Sequence, residues 1–199
     1  MSSSRQEPPN TGSPEIVTSA TKVVYQNRWM TVREDQIVRR DGTNGIYGVV
    51  EKTDFALVVP YENEGFHLVE QYRYPVRSRF CEFPQGSWED RPGADPLEVA
   101  RAELLEETGL IATDLTHLGY LYEAYGYSNQ GLHVLLAINL TRGTAQPEHE
   151  EQGLTSRWYA EEEVWRLIEE GSMRDAPSVA ALALFLRHRR ANGPLLDQG

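Results

Sequence analysis

Cysteine is almost absent from this chain of 199 residues. Cys81 stands alone, which excludes an internal disulfide framework and a cysteine-built zinc site, and fits a reducing compartment. Basic residues are scarce too: 19 Lys and Arg face 30 Asp and Glu, a formal net charge of −11. The basic footprint needed for sequence-independent binding to nucleic acid or an anionic membrane is therefore missing. No apolar run approaches the ~18 residues that span a bilayer, and the N-terminus lacks a secretory apolar core. There is no internal repeat. These absences lead us to expect a soluble cytoplasmic protein that binds neither DNA nor membrane. If its substrate is an anion, something cationic must intervene.

What is present is globular. Hydrophobic residues make up 40% and aromatics 10% of the chain, and its length suits one domain with a small extension. Residues 1–15 (MSSSRQEPPNTGSPE) are polar and rich in Ser and Pro, and read as a disordered tail; residues 191–199 read as a second, shorter one. Residues 16–52 read as an N-terminal strand region: Lys22–Tyr25 leads into Trp29–Arg40, Asp41-Gly42 signals a turn, and Gly45–Glu51 returns. Residues 53–190 form the main domain. Within it, the apolar runs Phe55–Pro60, Phe66–Tyr72 and Phe80–Pro84 precede a central helix, and Thr116–Tyr122, Leu132–Leu140 and Ser156–Tyr159 again look extended. Two helices follow. Glu161–Glu170 ends at Gly171, and the last helix opens at Asp175 or Ser178 and closes on Arg187-His188-Arg189-Arg190, cations suited to its negative end. Strands with helices inserted at intervals predict an α+β sandwich.

The central helix breaks local rules. Residues 95–109 read DPLEVARAELLEETG, with Asp95 as N-cap, Pro96 at the first helical position, Glu98 completing a capping-box-like pair, and Gly109 as the left-handed stop. At 100° per residue, Leu97, Arg101, Leu104 and Leu105 share one stripe, the expected packing face. Glu103, Glu106 and Glu107 fall together on a neighbouring face. Like charges at these spacings repel by roughly 0.2–0.5 kcal/mol per pair. Glu106 and Glu107 also occupy the last turn, where the dipole disfavours anions by roughly 0.3–1 kcal/mol each. No Lys or Arg follows at i+3 or i+4. Two readings remain open: a solvated acidic face, or a site where a divalent cation offsets the repulsion, since carboxylates are hard ligands suited to Mg²⁺ or Mn²⁺.

The stretch GSWEDRPGADPLEVARAELLEETGL over 86–110 resembles the signature of the Nudix hydrolases, G-x5-E-x7-R-E-U-x-E-E-x-G-U with U aliphatic. Its C-terminal half matches at Glu103, Leu104, Glu106, Glu107, Gly109 and Leu110. Counting back, the signature Arg falls on Ala102, the first Glu on Ala94 and the first Gly on Trp88, so aligning Gly86 implies two extra loop residues. The missing Arg normally orients the glutamates; Arg101 is adjacent but points about 100° away. The resemblance implies an α/β/α sandwich around a mixed central sheet, with the motif forming a loop–helix–loop. It also implies metal-dependent hydrolysis of nucleoside diphosphates linked to another group. Glu103 and Glu107 would be the main metal ligands and Glu106 an additional one.

The likeness runs from about residue 20 to 190 and is similar to the ADP-ribose or nucleotide-sugar pyrophosphatase branch at VVYQNRWMTVR (23–33), EQYRYPV (70–76), EFPQG (82–86) and GSMRDAPSVAALAL. In that branch the N-terminal strands are shared between two subunits, implying a homodimer. Trp29 would stack on the nucleobase, or else is a core or dimer-interface aromatic. Arg73, Arg77 and Arg79 form a basic cluster whose guanidinium forks suit phosphate; alternatively they are solvated loop charges or make salt bridges. The carbonyl of Gln85, where Ala is more usual, would join the metal shell. Tyr125 and Tyr127 would stack on a base, or only pack their loop. A Tyr near that position also resembles diadenosine-polyphosphate hydrolases.

The resemblance thus implies a Mg²⁺-dependent pyrophosphatase acting on ADP-ribose or a related nucleoside diphosphate sugar. The general base would be Glu151 or Glu150 in QPEHEEQG (146–153), a loop that could equally be merely solvated; His149 reads as a surface residue. The alternatives are a diadenosine-polyphosphate hydrolase and, prompted by Ala94 and Ala102, a non-catalytic nucleotide sensor.

Overall fold

The computed structural model describes residues 14–145 and 153–193. Residues 1–13 and 194–199 of the expected tails, and the acidic loop with His149, Glu150 and Glu151, lie outside the described residues. The chain divides into two compact units: residues up to Thr53 with Ala124–Gln130, and Asp54–Glu123 with the residues from Gly131 onward.

The first unit is an antiparallel sheet of β1 (Ile16–Gln26), β2 (Thr31–Arg39) and β3 (Asn44–Glu51). The predicted turn at Asp41-Gly42 joins β2 to β3: Asp41 Oδ1 accepts from Thr43 N at 3.0 Å and Thr43 Oγ1 at 2.7 Å, and Gly42 takes φ +83°. Ala124–Gln130 attaches to this sheet through its backbone, with Val50 N donating to the Tyr127 carbonyl at 2.8 Å and Asn129 N to the Val50 carbonyl at 3.2 Å. Side chains add to it: Tyr47 Oη donates to the Gly126 carbonyl at 3.0 Å, Lys52 N to Asn129 Oδ1 at 3.4 Å and Gln130 Nε2 to the Thr53 carbonyl at 2.7 Å.

The second unit is a mixed sheet in the order β10 (Thr155–Ala160), β5 (Gly65–Arg73), β4 (Phe55–Glu62), β9 (Gly131–Arg142), β8 (Leu110–Tyr122). Short β6 (Ser78–Glu82) and β7 (Gln85–Gly86) pair with β5 and β4. Among the described strands of this sheet only β4 and β9 run parallel. The two-residue period of a strand decides which side each residue serves. Phe55, Leu57, Val59 and Tyr61 face a core completed by Val164 of α2 (Glu161–Glu170) and Ala181, Leu182 and Phe185 of α3 (Ala176–Asn192). Ala56 and Val58 face the other way, onto Val99, Ala100 and Leu104 of α1 (Pro96–Thr108). The unit is the expected α/β/α sandwich. Among the described residues no helix is long and apolar enough to cross a membrane.

Two sequence expectations for α1 need correction. The apolar stripe does not pack as a whole: Leu97 and Leu105 are 38% and 37% exposed, whereas Val99, Ala100, Glu103, Leu104 and Glu107 are buried. Small Val99 and Ala100 let the helix approach the sheet, and the approach brings two glutamates inward at the cost of two leucines. The N-cap is made by Asp95 alone, accepting from Leu97 N at 3.0 Å, without the reciprocal bond from Glu98. Gly109 ends the helix at φ +69° as predicted. Ala191 and Asn192, expected to belong to the second tail, instead complete α3.

Candidate functional site

The site is built where α1 crosses β7. Glu103 and Glu107, one helical turn apart, are 7% and 2% exposed, while Glu106 is half-buried. Gln85 N donates to Glu107 Oε2 at 3.0 Å. The Glu103 carboxylate lies against the backbone of Gly86 so closely that a Cβ there would sit 2.6 Å from its Cδ and Oε1. A side chain at that point would have to displace the Glu103 carboxylate, so the glycine serves by the space it leaves and not by its dihedral angles. Arg101, the neighbour of the expected signature arginine, turns away and donates to the Ala112 carbonyl at 2.8 Å.

A second group of charges adjoins these. Arg73, near the end of β5, forks onto Glu82 at the end of β6: its Nε donates to Glu82 Oε2 at 3.1 Å and its Nη2 to Oε1. Gln71 Nε2 donates to the same carboxylate at 2.7 Å. Burial pushes the Glu82 carboxyl above its ordinary pKa, against the lowering by the Arg73 charge and its hydrogen bonds. Burial pulls Arg73 down, but the Glu82 charge and hydrogen bond outweigh it and hold the guanidinium above its usual value, with smaller contributions from Asp175 and Glu107. A cation is thus fixed at the edge of a group of carboxylates. Asp175, the N-cap of α3, closes the group through a 3.1 Å hydrogen bond from Gln85 Nε2.

The remaining predicted residues are placed differently. Arg79 is tied to Glu70 through Nε at 2.7 Å, and through Nη2 to the carbonyls of Glu70 at 2.9 Å and Gly153 at 2.7 Å. Arg77 is exposed, at φ +52°. Trp29, Tyr125 and Tyr127 belong to the first unit and are all exposed, with the Arg28 guanidinium stacked 4.4 Å from the Trp29 ring centre. Sequence reasoning missed Glu82 and Asp175 as members of the site. A charge inside the apolar run Phe80–Pro84 was a signal for Glu82, since a carboxylate in such a run must be paired. Asp175 was visible only as a helix cap.

The donor set can be tested for a divalent cation. It consists of hard carboxylate oxygens with a backbone segment pressed against them, which fits Mg²⁺ or Mn²⁺ chemistry. Among the described residues no three acidic, His or Cys side chains are already gathered as a metal cage. A magnesium site does not require one, because that ion keeps several waters and takes one or two carboxylates plus substrate phosphate.

Comparison with known proteins agrees with this architecture. Residues 18–50 match the model of the nucleoside diphosphate sugar hydrolase N-terminal domain, and residues 52–182 match that of the NUDIX domain. An ADP-ribose pyrophosphatase of Mycobacterium tuberculosis is 29% identical over 84% of this chain and 82% of its own length. The ADP compounds hydrolase NudE of Escherichia coli is 25% identical over 86% of this chain and 92% of its own. A crystal structure of an ADP compounds hydrolase superposes with a TM-score of 0.80 at 23% identity, over 93% of this chain and all of that one, and shares its fold. Hydrolases of this kind use divalent metals. With its fold, its buried helical glutamates and a family model spanning most of its length, the chain belongs to the Nudix hydrolases.

Proposed function

We propose that this protein is a Mg²⁺-dependent pyrophosphatase that cleaves the diphosphate of ADP-ribose or a related nucleoside diphosphate sugar, releasing a nucleoside monophosphate and a sugar phosphate. The observation that carries this reading is the pair of buried carboxylates, Glu103 and Glu107, held against the backbone of Gly86 and Gln85. The names of the Mycobacterium and Escherichia relatives, both hydrolases of ADP compounds, support the substrate class.

Glu103 and Glu107, with Glu106 and the Gln85 carbonyl, would hold the cation. When bound, Mg²⁺ screens the repulsion between a diphosphate and a protein of charge −11, polarises a phosphorus and acidifies water. Arg73, kept in place by Glu82, offers the unshared part of its guanidinium to a phosphate oxygen. Arg79 serves another purpose: it fastens Gly153, the first described residue after the acidic loop, to β5. Glu151 or Glu150 in that loop takes the proton from the attacking water. Trp29, Tyr125 and Tyr127 present exposed rings on which a base can stack. The fully exposed β1, with Ile16, Val17, Val23, Val24 and Tyr25 open to solvent, supports a homodimer through the N-terminal strands.

The test is a hydrolysis panel of ADP-ribose, ADP-glucose, GDP-mannose, NADH and diadenosine polyphosphates with and without Mg²⁺. Hydrolysis of ADP-ribose that depends on Mg²⁺ and is lost in Glu107→Gln supports the reading; wild-type turnover in that variant overturns it. Light scattering tests the dimer.

A further inference from the structure

The four residues Phe83–Gly86 are each held by a different group. Phe83 N donates to Ser178 Oγ at 2.9 Å, and the Pro84 carbonyl accepts from Val58 N at 2.9 Å. Gln85 N donates to Glu107, and Gly86 carries the Glu103 carboxylate on its backbone. Two of these partners are the carboxylates assigned to the cation, one is the central strand β4, and one is the first turn of α3.

At α3 a single oxygen takes unusual duty. Asp175 Oδ2 accepts from Ser178 N at 2.9 Å, from Ser178 Oγ at 2.7 Å and from Gln85 Nε2 at 3.1 Å. The first of these is an ordinary N-cap, and a Ser or Thr would supply it equally well. The bond from Gln85 is not needed by the helix. It crosses 90 residues of sequence to join the start of α3 to the peptide that faces the glutamates. Gln85 is thus gripped twice, by its N–H on Glu107 and by its side-chain amide on Asp175. Gln85 is held at both its amide nitrogen and its side-chain end, and its backbone pairs with Leu57 of β4, so the peptide that carries its carbonyl is restrained from three directions.

We infer that Gln85 and Asp175 form a latch that fixes the Gln85 peptide against Glu107 and thereby sets the protein's affinity for its divalent cation, with Asp175 acting as a positioning residue that does not itself touch the cation. The acceptor is a side-chain carboxyl oxygen that already takes two bonds from Ser178, which makes the contact with Gln85 directional. Partners one step removed from a ligand hold ligand geometry and are worth roughly 10–100-fold in affinity or activity. The inference rests on the assignment of Glu103 and Glu107 to the cation, and its test keeps the two separable.

The variants are Gln85→Ala, Gln85→Met (which keeps the length without the donor), Asp175→Ser (which keeps a helix cap) and the double variant Gln85→Ala with Asp175→Ser. The readout is Mn²⁺ binding to the full chain without substrate, followed by calorimetry and by loss of the free-ion electron paramagnetic resonance signal. Each single variant should weaken Mn²⁺ binding roughly tenfold, and the double variant no further than either single one. In the turnover assay the cation concentration for half-activity should rise more than kcat falls. Asp175→Asn, which keeps an acceptor oxygen, should bind Mn²⁺ more tightly than Asp175→Ser. Wild-type affinity in Gln85→Ala and Gln85→Met, or fully additive losses in the double variant, would overturn the latch. Glu107→Gln is the reference: if it too binds Mn²⁺ like the wild type, the cation assignment fails, whatever Gln85 does. Should Asp175→Ser not fold, the two Gln85 variants decide alone.

Discussion

Gly86 has no room for a side chain. A methyl group there would come within 2.6 Å of all three atoms of the Glu103 carboxyl group, and Glu103 sits on a helix already packed against the sheet, so the carboxylate must swing away. Overpacking of this kind costs about 1–3 kcal/mol in stability, but the larger effect belongs to the site. Gly86→Ala should fold, melt slightly lower, and lose at least about tenfold in cation-dependent turnover. Adding Glu103→Ala should restore the lost stability without restoring turnover, which a thermal melt and a rate assay on the four proteins of the cycle would check. Wild-type turnover in Gly86→Ala would mean that the Glu103 carboxylate does not act from where it lies. At this scale the sequence was informative where physics was locally awkward. Three glutamates crowded on one helix were visible because nothing at i+3 or i+4 relieves them. Glu82 showed only as a charge inside an apolar run and Asp175 only as a helix cap, because their partners Arg73 and Gln85 are brought to them by strand pairing and by the tertiary fold, 9 and 90 residues away in sequence.

The helix α1 shows how a functional demand overrides an amphipathic pattern. A stripe of Leu97, Arg101, Leu104 and Leu105 predicts that those leucines carry the packing, yet the buried residues are Val99, Ala100, Glu103, Leu104 and Glu107. Its ends were legible, since Pro96, Asp95 and Gly109 act through the helix's own backbone. Its rotation was not, because two inward carboxylates invert the usual sign of burial. The stability consequences differ by position. Leu104→Ala, at 1% exposure among Val58, Val99 and Leu135, should destabilise by about 2–5 kcal/mol. Leu97→Ala should cost well under about 1 kcal/mol, since half-exposed side chains leave little cavity. Urea titrations of the two variants would separate the orientations, and equal losses would return the leucine stripe to the core.

At the scale of the whole molecule, three histidines of the second unit make its stability sensitive to acid. Burial lowers the pKa of His67 below its ordinary value despite the hydrogen bond and charge of Glu62, 2.6 Å away. Burial also lowers His117. It lowers His133 too, helped by the charge on His117, against the opposing pull of Asp54 and Asp95. The His117 and His133 rings share a hydrogen bond of 3.1 Å, which needs one bare nitrogen. A depressed folded-state pKa means that, between it and the ordinary histidine value of about 6.5, the unfolded chain binds more protons than the folded one. Stability therefore rises with pH across that window. It is fully present above about pH 6.5 and drains as pH falls through the folded-state values. Each histidine contributes a slope of at most about 1.4 kcal/mol per pH unit. Urea unfolding followed from about pH 5 to about pH 7.5 should show that loss on acidification, and His67→Gln should flatten it by up to one proton's worth. A pH-independent midpoint in the wild type would place these imidazoles in water-like surroundings and contradict their burial. The same curve repeated with Mg²⁺ should lie higher at neutral pH by the linkage of cation binding to the folded state. The difference between the two curves should vanish in Glu107→Gln, because the histidine contribution does not depend on the cation and the carboxylate contribution does.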